Sequence, residues 1–219
     1  MKSYKTMQMQ FALVVSGIVS SLLLMLGSAL AQTSDQLSPD ALIKTVVSDV
    51  MATVKSDPEI QKGNIPRIVD LVEKKIVPYT DMRRTTEMAM GPNWKKASAE
   101  QQALLVSEFK SLLIRTYSGA LSQLRDQTVQ FKALRAAADD KEVVVKTVVL
   151  GRGDPVPLDY RLEQTANGWK VYDMNIMGVW SVEAYRNQFA NQISQNGIDG
   201  LIKFLQERNK QLAAAKPAN

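Results

Sequence analysis

The hydrophobic period changes twice along this chain, and that limits the fold more than any single motif does. Up to about residue 125 apolar residues recur at three- and four-residue steps, from Thr128 they alternate, and after Ser181 the helical spacing returns. Helices, then strands joined by short connections, then helices again make an α+β domain, because connections of hairpin length cannot build parallel βαβ units. Such a chain closes one side of an antiparallel sheet with helices.

Ser38-Pro39-Asp40 opens the first helix with an N-cap, a proline at the first helical position and an acid in the first turn. Leu42, Ile43, Val46, Val50 and Val54 form its face, and Asp57-Pro58 and Gly63-Asn64 punctuate its end. Ile65, Ile68, Val69, Val72 and Ile76 predict a second helix stopped by Pro78, and Thr80 to Met90 a third closed by Gly91-Pro92. Ser98-Ala99-Glu100-Gln101 matches a capping box and starts a long helix to about Leu124, with Leu105, Phe109, Leu112, Leu113 and Ala120 on one face. About four antiparallel strands follow, through Val129 to Ala133, Val143 to Val149, Val156 to Leu162 and Trp169 to Ile176. Asn167-Gly168 is the strongest hairpin signal among their connections. Ser181 is the expected cap of the next helix, Asn196-Gly197 its end, and a last helix carries Ile198, Leu201, Ile202 and Leu205 before a tail that frays over residues 213–219. The long helix is expected to lie across the curved sheet, leaving a cavity between the layers.

Ahead of this domain, Lys2 and Lys5, the apolar run Phe11 to Leu26 and the small-x-small site Ala29-Leu30-Ala31 are the parts of a secretory signal peptide over residues 1–31, cut before Gln32. The run to Ala31 is also long enough to span a bilayer as an anchor, but an anchor needs no cleavage site. Residues 32–219 then form one domain. The two lysines of the leader reduce the net charge of +5, leaving no excess that implies nucleic acid. The chain has no cysteine and no histidine, which excludes disulfides, Cys/His zinc sites, thiol nucleophiles and Ser-His-Asp triads. No metal or organic cofactor is expected.

The run Gly91-Pro92-Asn93-Trp94-Lys95-Lys96-Ala97-Ser98, followed by Phe109 and Tyr117 on the long helix, resembles the toluene-tolerance family, the periplasmic phospholipid-binding components of the Mla lipid-asymmetry ABC transport system. The resemblance continues through Pro157 to Tyr160, Gly168-Trp169-Lys170-Val171-Tyr172-Asp173, Gly178-Val179, Tyr185-Arg186-Asn187-Gln188-Phe189, Gly197 and Leu201-Ile202. It departs at Trp180, where the family has a small serine. The resemblance implies an NTF2-like fold with a deep apolar pocket for the acyl chains of a phospholipid. It further implies a periplasmic carrier, not an enzyme, that shuttles between an outer-membrane lipoprotein-porin complex and an inner-membrane MCE-domain ABC transporter.

Two acyl chains hold about thirty methylenes, whose exposure to water costs on the order of 20 kcal/mol, so such a carrier must enclose both tails in a cavity near the upper end of ligand-site volumes. Candidate lining residues are Leu113 and Tyr117 on the long helix, Phe131, Val145, Val149, Leu158 and Tyr160 on the sheet, and Met174, Ile176, Tyr185 and Phe189 beyond. Apolar residues at these spacings equally make an ordinary core. Arg83, Arg84, Arg115 and Arg152, with the pair Lys95-Lys96, are candidates to meet a headgroup phosphate, or simply solvated surface. The carrier is expected to be a monomer; the rival readings are an NTF2-like isomerase or dehydratase using Asp173 and Tyr160, with a raised carboxyl pKa beside a donating phenol, and a periplasmic adaptor or chaperone using an exposed apolar groove.

Overall fold

The computed structural model describes residues 37–214 apart from residue 138; the expected leader, its cleavage site and the tail beyond residue 214 lie outside the described residues. Helix α1 (Pro39–Ser56) begins at Pro39 as the sequence predicts, although the Ser38 side chain makes no capping bond. Asp57 ends it and caps α2 (Pro58–Gln61), its carboxylate accepting from the N–H groups of Glu59 and Ile60. Helix α3 (Ile65–Lys75) starts from Asn64, whose side chain accepts from the Arg67 N–H, and passes into a 3-10 turn over Val77–Tyr79. The third helix expected from Thr80 instead begins at Met82: α4 (Met82–Met90) is capped by Asp81. Thr80 is extended and bridges Val171, and the Asp81 N–H donates to the Val171 carbonyl at 2.8 Å, covering part of a sheet edge.

After a 3-10 turn over Gly91–Lys96, α5 (Ala99–Ser122) carries the capping box in full. The Gln101 N–H donates to Ser98 Oγ at 3.1 Å and the Ser98 N–H to Gln101 Oε1 at 2.9 Å. Strands β1 (Thr128–Phe131), β2 (Glu142–Leu150), β3 (Val156–Thr165), β4 (Gly168–Ile176) and β5 (Val179–Trp180) form an antiparallel meander in sequence order. The fifth strand corrects the expected count of about four; two residues are too few to display alternation. In the Asn167-Gly168 hairpin Thr165 pairs with Gly168, so Ala166 and Asn167 form the loop and the positive φ of 91° falls on glycine alone. In the β4–β5 loop both Met177 (φ 54°) and Gly178 (φ 91°) are left-handed, as a type I′ turn requires. Helix α6 (Ser181–Ala214) is interrupted at Gly197 (φ 70°, ψ −175°), where Asn196-Gly197 predicts an end.

The long helix does not lie across the sheet. Helix α5 packs chiefly against α6, and Leu105, Phe109 and Leu112 join Phe189, Leu201 and Leu205 in one buried cluster. The Phe109 ring meets Tyr185 at 4.8 Å and Phe189 at 5.0 Å, both edge-on, the arrangement that ring quadrupoles favour. Helix α1 takes the place on the sheet instead: Leu42 and Ile43 pack with Val143, Val145, Tyr160 and Leu162. A third cluster ties α1, α2, α3 and α5 together through Val54, Ile60, Ile68, Leu71 and Ile114. Either helix has an apolar face able to cover a sheet, and the sequence periodicity does not say which face meets which.

A β-bulge decides which side chains of β4 reach the interior. Arg161 pairs with Asp173 but Leu162 with Val171, so Tyr172 is the extra residue and Val171 and Asp173, two apart in sequence, point to opposite faces. Val171, Tyr172 and Asp173 are all buried. On the outer face Asp173 accepts from the Met174 N–H at 2.9 Å, the Val182 N–H at 3.0 Å and Arg161 Nη1 at 3.2 Å. It therefore supplies the helix cap expected of Ser181. Replacing Asp173 with Ala strands these donors and should lower the stability measured by urea unfolding by about 2–3 kcal/mol, with Asp173→Asn costing less because the amide oxygen still accepts. Met177→Asn should raise stability by about 1 kcal/mol in the same assay, since asparagine tolerates the left-handed region better.

Candidate functional site

Between α1 and the inner face of the sheet lies a cavity of about 160 Å³. Helix α1 contributes Ile43, Val46, Val47, Val50 and Met51. Ile76, Tyr79 and Thr80 come from the connection after α3, and Leu121 and Leu124 from the end of α5 and the turn beyond it. The floor is Val129, Val149, Leu158, Tyr160, Val171 and Met174. Cross-strand pairing of Val129 with Val149, and of Tyr160 with Met174, puts these side chains on one face.

No charged side chain lines the cavity. Its polar atoms belong to Tyr79, Thr80 and Tyr160. Burial pushes the Tyr160 phenol up to about 12, and Thr147 beside it accommodates the hydroxyl, so this group stays neutral across the ordinary pH range. Such a wall offers no base, no cation and no group poised to transfer a proton. What it can do is take hydrocarbon out of water.

Of the residues predicted to line the pocket, Val149, Leu158, Tyr160 and Met174 meet here. Val145, Phe131 and Ile176 belong to the same inner face but outside the cavity wall: Val145 is buried against α1, Phe131 packs at its edge, and Ile176 pairs with Leu158. Leu113, Tyr185 and Phe189 lie in the α5–α6 cluster, and Tyr117 is half-buried near Tyr185. That displacement follows from α5 packing on α6. The residues of α1 form the largest group that the spacing rules pass over, yet a signal is present. Leu42-Ile43, Val46-Val47 and Val50-Met51 are adjacent apolar pairs repeated every four residues, a stripe twice as wide as one buried face needs.

The cavity is smaller than two tails demand. At about 160 Å³ it falls below the roughly 300–1,000 Å³ of ordinary ligand sites, because Leu42 and Ile43 already interlock with the sheet. A cavity of this size holds two acyl chains only if its walls move apart.

The candidate headgroup residues do not converge. Arg84 is held by Glu142 at 2.5 Å and by Glu163, with its guanidinium 4.0 Å from the Tyr172 ring centre. The same guanidinium holds the Glu142 carboxyl below its usual range, with the Tyr172 hydroxyl donating to it at 3.0 Å. Arg83 lies over Trp94 at 5.2 Å, Arg115 is half-buried on α5, and Arg152 is exposed in the β2–β3 loop. Lys95 and Lys96 are exposed. The catalytic pair fares no better: Tyr160 pairs with Met174 on the inner face and Asp173 with Arg161 on the outer, so phenol and carboxylate are divided by the sheet. Burial raises the Asp173 carboxyl above its usual range, while its three hydrogen bonds pull it down. Among the described residues no cluster of acidic side chains suits a metal ion.

A family model for the MlaC protein matches residues 44–207. The intermembrane phospholipid transport system binding protein MlaC of Haemophilus influenzae is 24% identical over 191 residues, covering 84% of this chain and 86% of that one. A toluene tolerance protein of Pseudomonas putida is 24% identical over 206 residues, 94% of this chain and 95% of its own. Among solved structures, a phospholipid-binding protein from Ralstonia solanacearum in complex with a phospholipid is 54% identical, with a TM-score of 0.79 over 81% of this chain and 99% of that one. The match runs from α1, which roofs the cavity, to α6, which Asp173 caps, and by it the chain belongs to the MlaC protein family.

Proposed function

We propose that this chain is a monomeric periplasmic phospholipid carrier, exported by cleavage of residues 1–31, with residues 32–219 as one lipid-binding domain. The observation that carries the reading is the uncharged cavity between α1 and the sheet, in a chain 54% identical to a protein solved with a phospholipid. Val149, Leu158, Tyr160 and Met174 from the sheet, with Val46, Val47, Val50 and Met51 from α1, contact the acyl tails. Removing about thirty methylenes from water supplies on the order of 20 kcal/mol, part of which is spent separating α1 from the sheet. The headgroup stays outside, consistent with arginines that are dispersed or already paired with acids. The carrier exchanges its cargo with an outer-membrane lipoprotein-porin complex and an inner-membrane MCE-domain ABC transporter, contributing to outer-membrane lipid asymmetry. Neither an enzyme nor a cofactor is needed for that cycle.

The mature protein purified from cells should yield near-stoichiometric phospholipid on organic extraction and mass spectrometry. Protein that is lipid-free and also takes up no phospholipid from vesicles overturns the reading. Leu158→Trp or Val149→Trp, which fill the cavity, should reduce bound lipid by at least about tenfold while circular dichroism stays unchanged. Gln130→Trp, on the exposed outer face of β1, should leave lipid content as it was.

A further inference from the structure

The sheet has a second concave feature, on the face turned away from the cavity. Alternation along β2 buries Val143, Val145, Thr147 and Val149 against the helices and leaves Val144 and Lys146 outward. Together with the chain after β1, this outer face forms a groove of about 790 Å³. Lys132, Arg135, Lys146 and Arg161 line it, with Asp140 and Glu142.

The charges in the groove do not cancel. Glu142 shares Arg84, at 2.5 Å, with Glu163, and Arg161 is paired with Asp173 at 3.2 Å. Asp140 accepts from the Ala137 N–H at 2.8 Å, holding the connection between β1 and β2 in place. Among the described residues, Lys132, Arg135 and Lys146 form no ion pair, and all three are exposed. Val144, 36% exposed, adds an apolar spot beside Lys146.

The geometry points to this groove as a docking site for an acidic segment that protrudes from a protein partner. The sheet stands between these cations and the cavity, so they do not face a lipid held by its tails on the inner side. A bilayer surface is too flat to fill a depression of this volume, whereas an extended peptide with Asp or Glu side chains enters it and meets cations on several sides. Solvated lysines and arginines at a rim act mainly on the rate of encounter, so binding here is fast and sensitive to salt.

The probe is a fluorescein-labelled oligoglutamate of about ten residues, titrated against the mature protein by anisotropy. The expected result is binding that weakens as salt is raised and falls at least about tenfold in Lys132→Glu/Arg135→Glu/Lys146→Glu. The control Lys55→Glu/Lys203→Glu/Lys210→Glu, reversing exposed lysines elsewhere, should bind the peptide within about twofold of the starting protein. In the unsubstituted protein, the peptide should protect Lys132 and Lys146 from acetylation as read by mass spectrometry. Equal losses in both triple variants, no protection of these lysines, or loss of bound phospholipid in the groove variant overturn the proposal. So does groove-dependent binding to phosphatidylglycerol vesicles without peptide binding, which assigns the surface to a membrane.

Discussion

The bulge at Tyr172 is the constraint on which the two sides of this molecule depend. Regular alternation would turn Val171 and Asp173 to the same face, sending either a carboxylate into the apolar cavity or a valine out of it. With one residue inserted, Val171 lines the cavity while Asp173 caps α6 and pairs with Arg161. Tyr172 uses the same distortion: its carbonyl accepts from Thr85 Oγ1 at 2.8 Å, fixing α4, and its ring carries Arg84. A single irregularity thereby joins the cavity floor to two helices and an ion-pair cluster on the other side.

Local signals in the sequence account for most of the element boundaries, with Ser38, which makes no capping bond, as an exception. The Ser98 capping box, the glycine break at residue 197 and the strands of alternating pattern all rest on residues within a few positions of one another. Contacts across the fold were not legible. Asp173 caps α6 from a neighbouring strand, a relation that spacing cannot reveal, whereas Ser181 satisfies the local rule for a cap. The choice between α1 and α5 as the cover of the sheet depends on which pair of apolar faces buries more area together, a comparison no single helix contains. For that reason Leu113, Tyr117, Tyr185 and Phe189 match a lipid pocket by chemistry alone, while the doubled stripe of α1 is the better clue.

The absence of histidine and cysteine acquires a physical sense from the cavity. The site has no charged side chain, and burial pushes its Tyr160 phenol up to about 12, so its affinity for hydrocarbon is set by area and shape. Charge is handled elsewhere: on the outer face Arg84 is shared by Glu142 and Glu163 and Arg161 pairs with Asp173, while Lys132, Arg135 and Lys146 follow along β2 and the chain after β1. The sheet acts as a partition between an uncharged side and an ionic one.

The narrowness of the cavity has a thermodynamic meaning for cargo exchange. A preformed space wide enough for two tails would return the whole transfer free energy of the acyl chains as affinity, and dissociation would be correspondingly slow. In the proposed carrier, where α1 separates from the sheet to admit cargo, Leu42 and Ile43 would regain their packing against Val143, Val145 and Leu162 when the tails withdraw. In that cycle the cohesion of α1 with the sheet would work as a restoring force that competes with the lipid for the same surface.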